Sequence, residues 1–209
     1  MAFILVVVLD FFLLASSRLK AVIRAAAGQG ALLSVLPLLL SHGELHGGHI
    51  LALSVGALVV KGIVIPWLLL WAIREASIRR EVEPLVGFIP SLILGAAGVA
   101  LAFAFSRAMP MPLPERHPYL VPTALSTVWT GLLLIVSRRK AVTQVIGFLV
   151  LENGVFVFGL LLSEFMPTMV EAGVLLDLFA AVFVMGIVMF HINREFSSLD
   201  TEKLSVLRD

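Results

Sequence analysis

Apolar residues run along this chain in long stretches separated by short polar segments, near 2–16, 21–40, 50–73, 85–106, 119–136, 143–162 and 169–192. Crossing the hydrocarbon core of a bilayer takes roughly 20 mostly apolar residues. The pattern therefore predicts an all-α, polytopic integral membrane protein of about seven transmembrane helices, the first of them short. Lysine and arginine gather in alternate connections. Arg18, Lys20 and Arg24 lie in the first, Arg74, Arg79 and Arg80 in the third, Arg138, Arg139 and Lys140 in the fifth, and Arg194, Lys203 and Arg208 in the tail. The intervening loops hold only Arg107 and Arg116. Basic residues mark cytoplasmic loops, so the N-terminus is expected outside and the C-terminus in the cytoplasm. The first apolar run has its positive charges after it rather than before it, which favours a retained span over a signal peptide.

Composition agrees. Of 209 residues, 60% are hydrophobic and 14% charged, with no cysteine, and the mean hydropathy is +1.06. A soluble domain carries about 25% charged residues, so this chain cannot cover itself with polar surface in water. A net charge of +1 gives nucleic acid no electrostatic footprint, and the absence of cysteine argues against disulfides and thiolate-held iron–sulfur clusters in this chain. Met109–Pro114 reads as an extended external loop, and 193–209 as a polar tail with spaced apolar residues that lies on a partner or on the membrane surface.

Within the apolar runs stand Asp10, Lys61, Glu152, Glu171 and Asp177. An ionisable group there costs at least ~2.5–3.5 kcal/mol on insertion scales, so each one calls for a reason. Glu152 lies midway along the sixth span beside Asn153. It is either a buried carboxylate that fixes packing or a site that exchanges protons, since burial brings a carboxyl within reach of neutral pH. Lys61 lies five residues before Pro66. Proline cannot donate to the carbonyl four residues back, that of Gly62, so a kink and a free carbonyl are expected beside the ammonium. The alternatives are a charge facing a polar cavity and a structural salt bridge to Glu152 or Asp177. Glu171 and Asp177 are six residues apart, about 9 Å along a helix and on different faces, so they suit consecutive steps better than a single site. Asp10 reads as structural or water-exposed because its span is short. His42, Glu44, His46 and His49 are read as solvated loop groups rather than a zinc site, and Gly95 and Gly98 as helix-packing positions.

Several segments resemble hydrogenase-4 component E, a membrane subunit of formate-hydrogenlyase-type group 4 [NiFe] hydrogenases. They are Arg138-Arg139-Lys140 followed by GFLVLENG at 147–154, then Met166 through Glu171 and Gly173 to Asp177, and a tail with Leu199-Asp200 and Leu204. Ser17-Arg18-Leu19, Lys61 and Pro66 extend the likeness upstream. The C-terminal part is also similar to the K-type subunit of complex I and the C-type subunit of multisubunit cation/proton antiporters. Matching Gly147 and Asn153 puts Leu149 where the complex I subunit has its first membrane glutamate. Glu152 stands nearly one turn further on, and Asp177 is the counterpart of the second glutamate.

The resemblance implies three parts: a five-helix membrane region at 1–137, K-subunit-like helices at 138–192, and a docking tail at 193–209. It further implies a non-catalytic subunit in a prokaryotic cell membrane, contributing Lys61, Glu152, Asp177 and Glu171 to proton or sodium translocation. No cofactor is expected in this chain. The nickel-iron centre and iron–sulfur clusters would sit in peripheral partner subunits, and antiporter-like subunits would be its neighbours in the membrane. A nickel-free relative, a cation/proton antiporter and a pure scaffold are the rival readings.

Overall fold

The computed structural model describes residues 1–40, 48–75, 84–108 and 118–162, together with Gly186. The helices are α1 (Ala2–Ala15), α2 (Leu19–Leu40), α3 (Gly48–Val59), α4 (Ile65–Glu75), α5 (Phe88–Ala108), α6 (Leu120–Ser137) and α7 (Ala141–Leu162), with a π-helical turn, Val60–Val64, between α3 and α4. Together they match the first six apolar runs. The stretch through Ser54–Trp71 together with α2, α5, α6 and α7 gives five helices long and apolar enough to cross a membrane, which makes the chain a multi-pass membrane protein. At 14 residues, α1 spans only about 21 Å. The seventh run, apart from Gly186, lies outside the described residues, and with it Glu171, Asp177 and the tail. The side chains of His42, Glu44, His46 and His49 are outside them too.

α1, α2, α7 and α6 form a ring in which each helix packs on the next, with α5 against α1 and α6 and the α3–α4 helix against α2. Glycines set the closest approach. A side chain at Gly131 of α6 would strike the backbone of Leu151 on α7, while Gly147 and Gly154 of α7 sit against the backbone of Ile135 and Val128 on α6. Lipid supplies no hydrophobic drive for helices to associate, so small residues that admit close backbone contact carry the packing. Gly95 meets Leu14 of α1, and Gly98 lies under the indole of Trp129, whose Nε1 donates to the Leu94 carbonyl at 3.0 Å.

Two apolar clusters fill the ring, one towards each end. The first joins Leu13, Leu14, Ile23, Ala26, Ile65, Leu69, Leu134, Leu149 and Val150 with their neighbours. The second joins Val6, Leu33, Leu36, Ala124, Val157 and Leu160 with theirs. Along α1 and α6 the chain passes from the second cluster to the first, and along α2 and α7 from the first to the second. The helices therefore alternate in direction as the connections between them require.

Arg138 belongs to the basic connection that the sequence assigns to solvent, yet it is only 1% exposed. Its Nη2 donates to the carbonyl of Leu14 at 2.7 Å, in the last turn of α1, where unsatisfied carbonyls give the helix its negative end. The guanidinium also lies 4.5 Å from the centre of the Phe88 ring. One buried cation thus ties the end of α1, the start of α5 and the α6–α7 connection.

Gly131→Leu should lower stability by about 3 kcal/mol, at the upper end of overpacking costs. Gly159→Ala, where a new Cβ meets nothing within 4 Å, should stay within about 0.5 kcal/mol of the parent. Thermal unfolding of both variants in detergent checks the pair.

Candidate functional site

Between the two apolar clusters every helix of the ring carries a polar residue near its middle: Asp10 on α1, Gln29 on α2, Thr127 on α6, and Glu152 with Asn153 on α7. The π-helical turn adds Lys61. All six are buried, none more than 8% exposed.

Pro66 explains where Lys61 stands. The proline ring has no N–H and crowds the carbonyl of the preceding turn. The helix absorbs this by widening one turn, so that the Ile65 N–H bonds the Val60 carbonyl five residues back. The kink expected from the sequence takes the form of a π-helical turn, a device common at functional sites. Gly30 of α2 makes room for the lysine, since a Cβ there would come within 3.0 Å of the Lys61 Cβ.

The six side chains connect. Lys61 Nζ donates to Asn153 Oδ1 at 3.2 Å. Asn153 Nδ2 donates to Gln29 Oε1 at 3.3 Å, and Gln29 Nε2 donates to Asp10 Oδ1 at 2.8 Å. Asp10 Oδ2 accepts from Thr127 Oγ1 at 2.8 Å. On the other side of the lysine, Glu152 Oε1 lies 3.9 Å from Nζ, an ion-pair distance longer than a hydrogen bond. The ring of Phe156 is 5.2 Å from the ammonium.

Ile23, Gly30, Pro66, Leu149, Lys61, Glu152 and Asn153 are among the residues around a cavity of about 10 Å³, counted over water centres. That is close to the least that holds one water molecule. The arrangement is a cation held between two carboxylates, directly against one and through two amides from the other, inside an apolar bundle.

Among the described residues, Lys61 forms the salt bridge considered for it with Glu152. Glu171 and Asp177 fall outside the described residues. Asp10 is neither water-exposed nor isolated. The sequence reading passed over Gln29 and Thr127 because neither is charged; a signal was present, since each stands at the middle of an apolar helix as Glu152 does. Among the described residues no group of three histidine, cysteine, aspartate or glutamate side chains could hold a metal ion.

No family model matches the chain, and no solved structure matches it either. Curated sequences do. The chain is 35% identical to the uncharacterized protein Rv0085 of Mycobacterium tuberculosis over 91% of its own length and 87% of that protein. It is 28% identical to hydrogenase-4 component E of Escherichia coli K12 over 77% of this chain and 74% of that one. The component of the same name in Shigella flexneri gives the same figures. The chain is a homologue of hydrogenase-4 component E, at moderate identity. Among the described residues the buried layer draws on five helical segments, from Asp10 to Asn153.

Gln29→Leu removes one donor to Asp10 and one acceptor for Asn153. Each buried group left without a partner costs about 1–3 kcal/mol, so the variant should lose at least about 2 kcal/mol. Ser34→Ala deletes only a bond to the carbonyl of Gly30 in its own helix and should change stability by less than about 0.5 kcal/mol. Detergent unfolding midpoints of the two compared side by side provide the check.

Proposed function

We propose that this chain is a membrane-arm subunit of an energy-converting hydrogenase-type complex, in which Lys61 and Glu152 exchange protons as electrons move through partner subunits. The observation that carries the reading is the ion pair itself. A lysine and a glutamate lie buried midway across a helical bundle, at a π-helical turn, beside a cavity sized for one water. Replacing such a pair by apolar residues often costs a fold nothing, so stability alone is a weak reason to keep it. Proton exchange is a stronger one, because small movements of the lysine or entry of a water change how well each charge is compensated.

In this reading the N-terminus faces outside, the C-terminus faces the cytoplasm, and the membrane is the prokaryotic cell membrane. The cluster of Leu14, Ile73 and Leu134 then lies on the cytoplasmic side with the basic connections. Asp177 and Glu171 would continue the path from the seventh span, and the segment 138–192 would form the K-subunit-like part, followed by the docking tail. Nickel, iron and the iron–sulfur clusters would be held by peripheral partners, since this chain has no cysteine to supply thiolate ligands. Antiporter-like subunits would receive the charge displacement within the membrane. The name of the relatives, hydrogenase-4 component E, supports the hydrogenase setting.

The test uses the complex purified through a tag on this chain and reconstituted into vesicles, with hydrogen turnover and proton uptake measured together. Glu152→Gln and Lys61→Met should leave assembly intact and lower proton uptake per turnover at least tenfold. If both variants assemble and move protons as the parent does, the chain is a scaffold. Antiporter subunits co-purifying without nickel or iron would contradict the hydrogenase setting.

A further inference from the structure

Among the described side chains the carboxylates are Asp10 and Glu152, and both lie inside the buried layer. Cations stand outside it. Lys20 and Arg24 are one turn apart on the exposed face of α2, within its apolar span Leu19–Leu38. Arg74 is exposed in the last turn of α4. The first turn of α2 carries no acidic residue. Like charges one turn apart on a helix repel, and a cation on the outer face of a membrane helix needs an anion or a way to the headgroups.

The three cations share one flank of the bundle. α2 and α4 pack antiparallel: Leu19 at the start of one and Ile73 near the end of the other belong to the first apolar cluster, and Gly30 meets Lys61. Successive side chains on a helix turn by about 100°. On α2, Ile23, Ala26 and Gly30 lie towards α4, which leaves Lys20, Arg24 and Gly28 turned to one side. On α4, Ile65 and Leu69 lie towards α2, which leaves Trp67 and Arg74 turned aside. Two antiparallel helices of the same hand rotate in mirror sense about their contact, so both sets fall on the same side.

Their depths match the parts of a phospholipid. With Gln29 and Lys61 as the level of the layer, Trp67 stands about 9 Å from it, Lys20 about 14 Å, Trp71 about 15 Å and Arg74 about 20 Å. The hydrocarbon of one leaflet is about 15 Å deep, with the headgroups beyond. Arg24, about 8 Å from the layer, reaches that boundary by extending its side chain. At Gly28 a Cβ would meet nothing within 4 Å, so the flank is open there. Trp67 and Trp71 are 64% and 42% exposed, and indoles favour the boundary between tails and headgroups. The order is thus open apolar flank, then indoles, then cations.

We propose that Lys20, Arg24 and Arg74 bind the phosphate of an anionic phospholipid, whose acyl chain lies along Gly28 and Trp67. Charge complementarity favours lipid as the occupant, because the bilayer already holds phosphate at the depth where the cations end. A zwitterionic lipid carries its own ammonium beside the phosphate and compensates three cations less well. The site does not depend on proton exchange in the layer.

The experiment strips the full-length chain of lipid in detergent and titrates it with phosphatidylglycerol or phosphatidylcholine of identical acyl chains, counting bound lipid by native mass spectrometry. The parent should bind its first phosphatidylglycerol at least tenfold more tightly than phosphatidylcholine. Lys20→Gln with Arg24→Gln, and Arg74→Gln separately, should each lower that preference at least threefold. Arg107→Gln, in the last turn of α5 at the other end of the bundle, should leave it unchanged. A parent without headgroup preference overturns the proposal, as do variants on the flank that keep it or an equal loss in Arg107→Gln.

The parent in phosphatidylcholine vesicles gives a reading that needs no change of charge. Phosphatidylglycerol brominated on its acyl chains should quench Trp67 and Trp71 at least twofold more than equally brominated phosphatidylcholine at the same mole fraction. Their share of the fluorescence is the difference from the variant Trp67→Phe with Trp71→Phe, and equal quenching contradicts the site. In the complex purified through a tag on this chain, the parent should retain at least one more phosphatidylglycerol than the Lys20→Gln, Arg24→Gln variant. Equal retention by assembled complexes makes this flank a contact with a neighbouring subunit and overturns the proposal.

Discussion

A charge placed midway through an apolar bundle must be compensated where it stands, because apolar surroundings cannot solvate it. Lys61 imposes that condition here, and much of the bundle is arranged around it. The ammonium bonds Asn153 and faces Glu152; Asn153 must then find an acceptor, which is Gln29, and Gln29 an acceptor of its own, which is Asp10. Each step places one polar group in the middle of another apolar helix. The result is a single polar layer between two hydrophobic clusters, crossing from the π-helical turn through α7, α2 and α1 to α6.

Such a layer needs its helices in fixed register, and the backbone supplies it. The glycines of α6 and α7 bring those two helices into backbone contact, so Thr127 and Asn153 cannot slide relative to each other without a clash. Pro66 widens the turn that carries Lys61, and Gly30 leaves the space its stem fills. Arg138 pins the end of α1 through the Leu14 carbonyl, which holds Asp10 at the depth of its partners even though α1 is short. Fold and site are thus one set of constraints: what closes the packing also sets the distances in the layer.

Much of this was legible in the sequence and some was not, for physical reasons. The first six helices follow from the length of the apolar runs, because backbone groups in a membrane must be satisfied within each segment. Lys61 and Glu152 stand out as charges in such runs, and pairing was among the readings of Lys61. Asp10 was read as structural or water-exposed, and only its burial among α1, α2 and α6 removes the second alternative; its partner Thr127 lies 117 residues further along the chain. Gln29 and Thr127 carry no charge, so hydropathy alone passes over them. Arg138 sits in a basic tripeptide that reads as a solvated connection, and only the fold reveals the helix end and aromatic ring that receive it. Asp177 and Glu171 lie beyond the described residues, and their part in the path rests on the resemblance to the family.

The central claim is that the polar layer runs unbroken from Lys61 through Asn153 and Gln29 to Asp10. The most direct measurement is an electron cryo-microscopy map of the complex purified through this chain, at a resolution that shows ordered water. The account predicts unbroken density from Lys61 through Asn153 and Gln29 to Asp10, with one water in the cavity between Lys61 and Glu152. A lysine turned away from Asn153 towards the membrane surface, or a file of waters separating Gln29 from Asp10, would contradict it.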